Sequence, residues 1–453
     1  MEPFRFHVFV CDQQKPEGLP CCSARGSGRV IDALRREIVA RKLDDEVQIT
    51  TCGSLGLCEH GPNLVVYPEG TWYSGVTPED VAEIVESHFQ KHVPVERLTR
   101  TNTSDLKAEI VTNRDRMRQA LRARDAAGML PDDLNDRIRG FQESRVVLTA
   151  LELDVFTAVG EGAGAEAVAN RVGANPRATE LLLNALTAMG LLAKSEGVFR
   201  NGPAARRYFC AASPDNARPG LLHTAHLWSR WSNLTDSVRA GTAVAYEGIA
   251  DRGEDWTQAF IAAMHRNASE RAPLVVRAVD AAGVRRMLDV GGGSGAYSIA
   301  FAKTHPGLLS DILDLATVGP IAQKHIQEAG VADRVSVRAG DLRVDSLGQN
   351  YDLVFLSAIC HMLSAGENGD LLRRCRDALA PGGRIVIQDF ILEPDKTSPK
   401  FGALFALNML VGTAGGSSYS AVEYAEWLKG AAFADVRHVR LPGPTGLMIA
   451  TRC

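Results

Sequence analysis

Apolar residues run along this chain in two rhythms, and the change from one to the other divides it into segments. Phe6-His7-Val8-Phe9-Val10 reads as a strand, while Val30, Leu34 and Ile38 recur at helical spacing over residues 29–41. Val47-Gln48-Ile49-Thr50 and Leu64-Val65-Val66-Tyr67 predict further strands, and Tyr67-Pro68-Glu69-Gly70-Thr71-Trp72-Tyr73 a hairpin turn. Thr77-Pro78-Glu79-Asp80 supplies an N-cap, a proline at the first helical position and two first-turn acids, so a closing helix is expected to about Lys91. Residues 1–98 thus predict a small α/β unit.

Over residues 99–137 the pattern fades into polar and charged positions, which predicts a partly helical linker. Residues 138–281 predict a helical domain, in which Val146, Leu148, Leu151, Val155 and Phe156 form one apolar face and residues 180–191 a second apolar helix. Leu192-Ala193-Lys194 and Val198-Phe199-Arg200 flank Ser195-Glu196-Gly197 as a short hairpin, the outline of a winged helix, and helices are expected to continue from Leu221 to about Ala281. Over residues 282–453 strands alternate with helices. The strand candidates 287–290, 308–313, 335–337, 353–356, 384–387 and 448–450 predict a Rossmann-like, mostly parallel, doubly wound sheet.

Composition narrows the function classes. With 453 residues, 45% hydrophobic and 23% charged, the chain is long enough for two to four domains at roughly 100–200 residues each. A net charge of −4 provides no global basic field, so nucleic acid is not the expected partner. The first residues carry no apolar targeting core, and the longest apolar stretches, such as 403–411, fall short of the ~20 residues that span a bilayer. The expectation is a cytoplasmic protein with no membrane span.

The chemistry starts at Asp289-Val290-Gly291-Gly292-Gly293-Ser294-Gly295, directly after a strand and before a helix. A glycine loop alone suits a dinucleotide, a nucleotide or a tight turn. Asp314 stands 23 residues after Gly291 at the end of the next strand, where an acid can accept hydrogen bonds from both ribose hydroxyls. Gly340-Asp341 follows the third strand, placed to reach an adenine edge. Asp289 shifts the reading from a dinucleotide to S-adenosylmethionine, because a carboxylate beside the loop repels a pyrophosphate and favours an ammonium.

From residue 138 to 452 the chain resembles class I S-adenosylmethionine-dependent O-methyltransferases with a winged-helix dimerisation domain, the group of the acetylserotonin and plant phenol methyltransferases. The resemblance rests on Gly140-Phe141-Gln142, Asn175-Pro176 with Leu181-Leu182-Leu183, the loop at Gly291, Gly293 and Gly295, Gly340-Asp341-Leu342, His361, Pro381-Gly382-Gly383 and Ala431-Ala432-Phe433. It implies a homodimer, His361 as the base that deprotonates a small-molecule hydroxyl, Asp389 as its orienter, and Asp289, Asp314, Asp341 and Leu342 at the cofactor. Two departures stand out. Met362 replaces the acid that often follows the histidine, and a second expected acid falls at about Ser418. For the acceptor pocket the candidates are Trp228, Trp231, Met264, His265, Asn408 and Met409, residue types that also fill ordinary helical cores.

Five of the nine cysteines lie in the first 58 residues, and clustering of this kind in an unexported chain favours a metal or iron–sulfur site over disulfides. His7–Cys11, Cys22-Ser23-Ala24-Arg25-Gly26-Ser27, Cys58-Glu59-His60-Gly61-Pro62 and Pro94-Val95-Glu96-Arg97-Leu98 resemble the thioredoxin-like 2Fe–2S ferredoxins. That resemblance implies four cysteine ligands. Cys11, Cys22 and Cys58 fall on ligand positions, but the family's cysteine four residues before Cys58 is Ser54 here. Cys52 is the expected fourth ligand, since loop glycines extend its reach and thiolate suits iron better than an alkoxide. Cys21 is a spare neighbour of Cys22.

The resulting expectation is an S-adenosylmethionine-dependent methyltransferase carrying a 2Fe–2S domain with a redox, sensing or docking role and an electron-transfer partner. The rivals are a cluster-fed hydroxylase or reductive enzyme that binds S-adenosylmethionine, and a redox-responsive winged-helix regulator.

Overall fold

The computed structural model describes residues 3–15, 19–245 and 254–453. The chain divides into two compact units, Met1–Gly140 and Phe141–Cys453.

In the first unit, β1 (Phe6–Cys11), α1 (Ser27–Ala40), β2 (Val47–Cys52), β3 (Asn63–Tyr67) and β4 (Thr71–Ser74) precede α2 (Val81–Ile84), which widens into a π turn over Val85–Gln90, and then α3 (Thr103–Ala126). The sheet order is β2-β1-β3-β4, with β1 parallel to β2 and β3 antiparallel to both neighbours. Alternation in β1 buries Phe6, Val8 and Val10, which pack with Val30, Leu34 and Ile38 of α1 and with Val81, Ile84 and Phe89. The segment expected to be a linker differs from that reading, because α3 packs onto this unit. Leu106 is buried, Ile110 lies against Gly56, and Asn113 Nδ2 donates to the Gly56 carbonyl at 2.8 Å. Its inward stripe is only one side chain wide, so the other faces stay polar and hide the helix from a composition reading.

α4 (Asp132–Glu152) leads into α5 (Val155–Val159), β5 (Ala163–Gly164), α6 (Ala165–Val172), α7 (Pro176–Ala188), β6 (Leu192–Ser195), β7 (Val198–Asn201) and α8 (Pro203–Phe209). Asn175 caps α7 through its side chain, with Pro176 in the first turn. The hairpin of β6 and β7 turns at Glu196 and Gly197, both at positive φ as a type I′ turn requires, and β5 adds a third strand. α9 (Arg218–Trp231), α10 (Leu234–Ala240) and α11 (Glu254–Val279) follow. The expected helical run from Leu221 to Ala281 includes residues 246–253, which lie outside the described residues.

The remainder is β8 (Arg286–Val290), α12 (Ala296–Thr304), β9 (Leu309–Asp314), α13 (Gly319–Glu328), β10 (Val335–Ala339), β11 (Tyr351–Ser357), α14 (Ala365–Ala378), β12 (Leu379–Asp389), α15 (Lys400–Gly412), α16 (Ala421–Gly430), β13 (Phe433–Arg440) and β14 (Gly446–Arg452). The strands form one sheet in the order β10-β9-β8-β11-β12-β14-β13, parallel except for β14. Strand order reverses between β8 and β11, and in an open α/β sheet the crevice at the C-terminal ends of such strands is where ligands bind. β13 has no counterpart among the expected strands. It is an edge strand whose Arg437, His438 and Arg440 dilute the apolar signal. Among the described residues, no helix is long and apolar enough to cross a membrane.

Candidate active site

The loop after β8 is shaped by three glycines at positive φ, Gly291 (70°), Gly293 (56°) and Gly295 (77°). A Cβ on Gly291 would collide with Ile359, whereas around Gly293 nothing lies within 4 Å. Gly291 therefore closes the loop against the fold, and Gly293 leaves backbone open to a ligand. Asp314, at the end of β9, accepts from the Gly293 N–H at 2.7 Å and the Leu315 N–H at 2.7 Å. Burial pushes its carboxyl up, while these two donors hold the ionised form against that cost. Asp341 accepts from the Arg343 N–H at 2.8 Å and shapes the turn after β10. Leu342 is half-buried close to Gly291.

Asp289 lies deeper than its sequence position suggests. It is fully buried, Ser298 donates to its Oδ2 at 2.6 Å, and Ser310 donates to Ser298 at 2.9 Å. Oδ1 has no hydrogen-bond partner, so one acceptor remains for a cationic group. Burial pushes the carboxyl up to about 7. Because the folded protein binds this proton more tightly than the unfolded chain, Asp289 makes stability fall as pH rises from about 4 to 7. Asp289→Asn is expected to remove that slope in the ligand-free protein, a gain of no more than about 4 kcal/mol above pH 7. Thermal melts of both proteins from pH 4 to 8 check this.

At the end of β11 a short turn, Cys360–Met362, presents His361. Its Nδ1 lies 2.6 Å from Asp389 Oδ1, and its backbone N–H donates to Oδ2 at 3.2 Å. Phe390 N–H donates to Oδ1 at 2.8 Å and the Tyr424 hydroxyl to Oδ2 at 3.1 Å. With His361 only 6% exposed and Asp389 1%, these donors fix both carboxylate oxygens. Nδ1 facing a carboxylate is assigned the proton, which leaves Nε2 as the basic nitrogen. Tyr424 carries no motif that marks it in the sequence. Burial and the Asp389 charge hold its proton on, so it donates to the carboxylate. It supplies polar support to Asp389 that the side chain of Met362 cannot. Ser418 itself is buried with its hydroxyl unpartnered. Tyr424→Phe is expected to lower kcat by roughly threefold to tenfold, about one hydrogen bond to a charged group, without changing S-adenosylmethionine affinity. Steady-state kinetics with calorimetric titration separates the two effects.

The acceptor candidates part company in the structure. Trp231 Nε1 donates to Asn408 Oδ1 at 2.9 Å, joining α9 to α15, where Met409 is buried. The same helix brings Phe405 to 4.9 Å from the His361 ring, and Phe390 and Phe401 extend the aromatic wall. Trp228 instead packs in the helical core, with Arg145 over its ring at 5.4 Å. His265 bonds Ser294 Oγ through Nδ1 at 2.9 Å and stacks on His325 at 3.9 Å, so it belongs to the glycine loop. Met264, beside it on α11, is half-buried.

In the first unit, Cys11, Cys22 and Cys58 come together. Hydrogen bonds from Cys11 and Cys22 hold the Cys58 thiol low, helped by Ser54 and Lys15. Asn63 Nδ2 donates to Cys22 Sγ at 3.3 Å, and a Cβ at Gly61 would sit 2.5 Å from that sulfur. Cys21 is buried and its sulfur accepts from the Ala24 N–H. Cys52, opposite Cys11 in the strand ladder, is half-exposed. Among the described residues, no three His, Cys, Asp or Glu side chains are arranged to hold a single metal ion. Three buried sulfurs, those of Cys11, Cys22 and Cys58, do lie close to one another. All nine cysteines are unpaired.

Comparison with known proteins agrees with the geometry of the second unit. The O-methyltransferase domain family matches residues 231–434, and the O-methyltransferase dimerisation domain matches residues 136–210. A 3-hydroxy-5-methyl-1-naphthoate 3-O-methyltransferase of Streptomyces sahachiroi is 33% identical over 71% of this chain and 95% of its own length. The acetylserotonin O-methyltransferase of Bos taurus is 30% identical over 70% of this chain and 97% of its own. The crystal structure of human N-acetylserotonin methyltransferase with SAM superposes with a TM-score of 0.63 at 27% identity, covering 70% of this chain and 96% of that one. PigF with SAH gives 0.66 at 28%, covering 71% and 100%. A strand-order reversal carrying the glycine loop, Asp314 beside it and a buried histidine at the end of β11, in a chain matched over both domains, makes this protein a member of the S-adenosylmethionine-dependent O-methyltransferase family.

Proposed function

We propose that the protein methylates a hydroxyl on a planar aromatic small molecule, with His361 as the general base. The observation that carries this reading is the buried His361–Asp389 pair, at 2.6 Å, beside a wall of Phe390, Phe401 and Phe405. Bound S-adenosylmethionine supplies an electrophilic methyl group on a sulfonium. His361 Nε2 takes the proton of the acceptor hydroxyl as its oxygen attacks, and the positive charge that forms on the ring is met by Asp389. Tyr424 and two backbone N–H groups keep that carboxylate in place. Asp314 and the Gly293 backbone hold the ribose and the methionine end, and Asp289 Oδ1 is left for the ammonium. The naphthoate specificity of the Streptomyces relative favours a fused-ring phenol as acceptor. Incubation with S-adenosylmethionine and hydroxynaphthoates is expected to give products heavier by one CH2, while matched amines and aliphatic alcohols stay unchanged. Equal methylation of the amines would sink the hydroxyl assignment.

The matched dimerisation segment exposes Ile138, Phe141 and Leu181, which supports a homodimer. For the first unit we propose a 2Fe–2S site at Cys11, Cys22 and Cys58. The mixed sheet with β3 antiparallel, the converging thiols and the space kept by Gly61 support it, and unpaired cysteines support a reducing, cytoplasmic setting. Such a cluster supplies one-electron redox chemistry. Methyl transfer does not consume it, so its place is in sensing, docking or keeping an acceptor reduced.

A further inference from the structure

We propose that the fourth ligand of the 2Fe–2S site is the hydroxyl of Ser54, with Cys52 outside the ligand set. This rests on the cluster reading above and assigns a native oxygen ligand in a site otherwise built of sulfur.

The argument is one of which atoms the fold can bring together. Ser54 Oγ lies 3.2 Å from Cys58 Sγ, and Cys58 in turn shares hydrogen bonds with Cys11 and Cys22. Four donors from two loops therefore already touch in sequence Cys11, Cys22, Cys58, Ser54. Cys52 is the last residue of β2, held in parallel register with Cys11.

The loop between them is not free to rearrange. Ser54 Oγ accepts from the Gly56 N–H at 3.1 Å, closing a tight turn. Gly56 has φ of 84°, and a Cβ there would sit 2.8 Å from Ile110 of α3. Asn113 Nδ2 anchors the Gly56 carbonyl at 2.8 Å, and Arg116 of α3 pairs with Glu59 just past Cys58. Helix α3 thus clamps residues 54–59 with Ser54 facing Cys58. Ser54 Oγ already lies beside Cys58 Sγ and needs only to lose its proton to solvent as the oxygen meets iron. A hydroxyl is the weaker donor, but Ser54 is held in place beside Cys58 by the turn that α3 clamps.

The test uses the full chain purified without oxygen, with iron, acid-labile sulfide and the visible absorption spectrum as readouts. The wild type is expected to hold about two irons and two sulfides per chain. Cys52→Ala should keep both and leave the spectrum unchanged. Ser54→Ala should lose at least about half the iron, the loss expected when one ligand is removed from a cluster. Ser54→Cys should keep the cluster with charge-transfer bands moved to longer wavelength, because thiolate is more easily oxidised than alkoxide; its retention of iron shows that the loop still folds. Full iron in Ser54→Ala, an unshifted Ser54→Cys spectrum or iron loss in Cys52→Ala each overturns the assignment while leaving the site standing. A wild type without iron and sulfide overturns the cluster reading itself.

Discussion

Replacing His361 with alanine is expected to lower kcat by about 10²- to 10⁴-fold, the usual worth of a positioned general base. S-adenosylmethionine affinity should stay within about twofold, because no loop that holds the cofactor depends on this ring. The size of the effect follows from how the imidazole is held. Asp389 receives four donors, two from backbone N–H groups, so it is fixed before any substrate arrives and need not reorganise as charge develops on His361. Alanine leaves that carboxylate buried at 1% exposure without its cationic partner, so part of the loss reflects an environment tuned for a charge that no longer forms. His361→Gln is expected to restore stability but not turnover. A variant that keeps kcat within about threefold would place the base elsewhere.

The second large effect is on the cofactor. Asp314→Ala is expected to raise the dissociation constant for S-adenosylmethionine by about 10²-fold, the loss of two hydrogen bonds to a charged carboxylate. The same carboxylate fixes Gly293 N–H and Leu315 N–H, so its removal also loosens the open side of the loop. Asp314→Asn keeps one acceptor for these amides and should fall between the two. Calorimetric titration with S-adenosylhomocysteine measures both variants without turnover. An affinity unchanged in Asp314→Ala would remove this residue from the cofactor site.

Much of this site is legible in the sequence where the local signal is also the chemical one. Gly291, Gly293 and Gly295 occupy positive-φ positions that other residues resist, and the strand before them is buried on both faces, so the loop stands out. What stays hidden depends on direction in space. Tyr424 reaches Asp389 from a helix 35 residues further on, and nothing local marks a tyrosine on α16 as different from a core residue. His265 and Trp231 have similar spacing to the other acceptor candidates, yet each helix turns them to different neighbours, the glycine loop for one and Asn408 for the other. Trp228, one turn from Trp231, faces the helical core. Ser54 and Cys52 are two residues apart, but only the clamp by α3 distinguishes them, and α3 itself reads as a polar linker because its buried stripe is so narrow.

The central claim is hydroxyl methylation driven by the buried histidine. It is tested most directly by mass spectrometry of acceptor and cofactor in one reaction, wild type beside His361→Ala. The account predicts one S-adenosylhomocysteine formed for each acceptor that gains CH2 on oxygen, and near-complete loss of both in the variant. An acceptor that gains oxygen or hydrogen, or loses carbon dioxide, while S-adenosylmethionine remains unconsumed would contradict it.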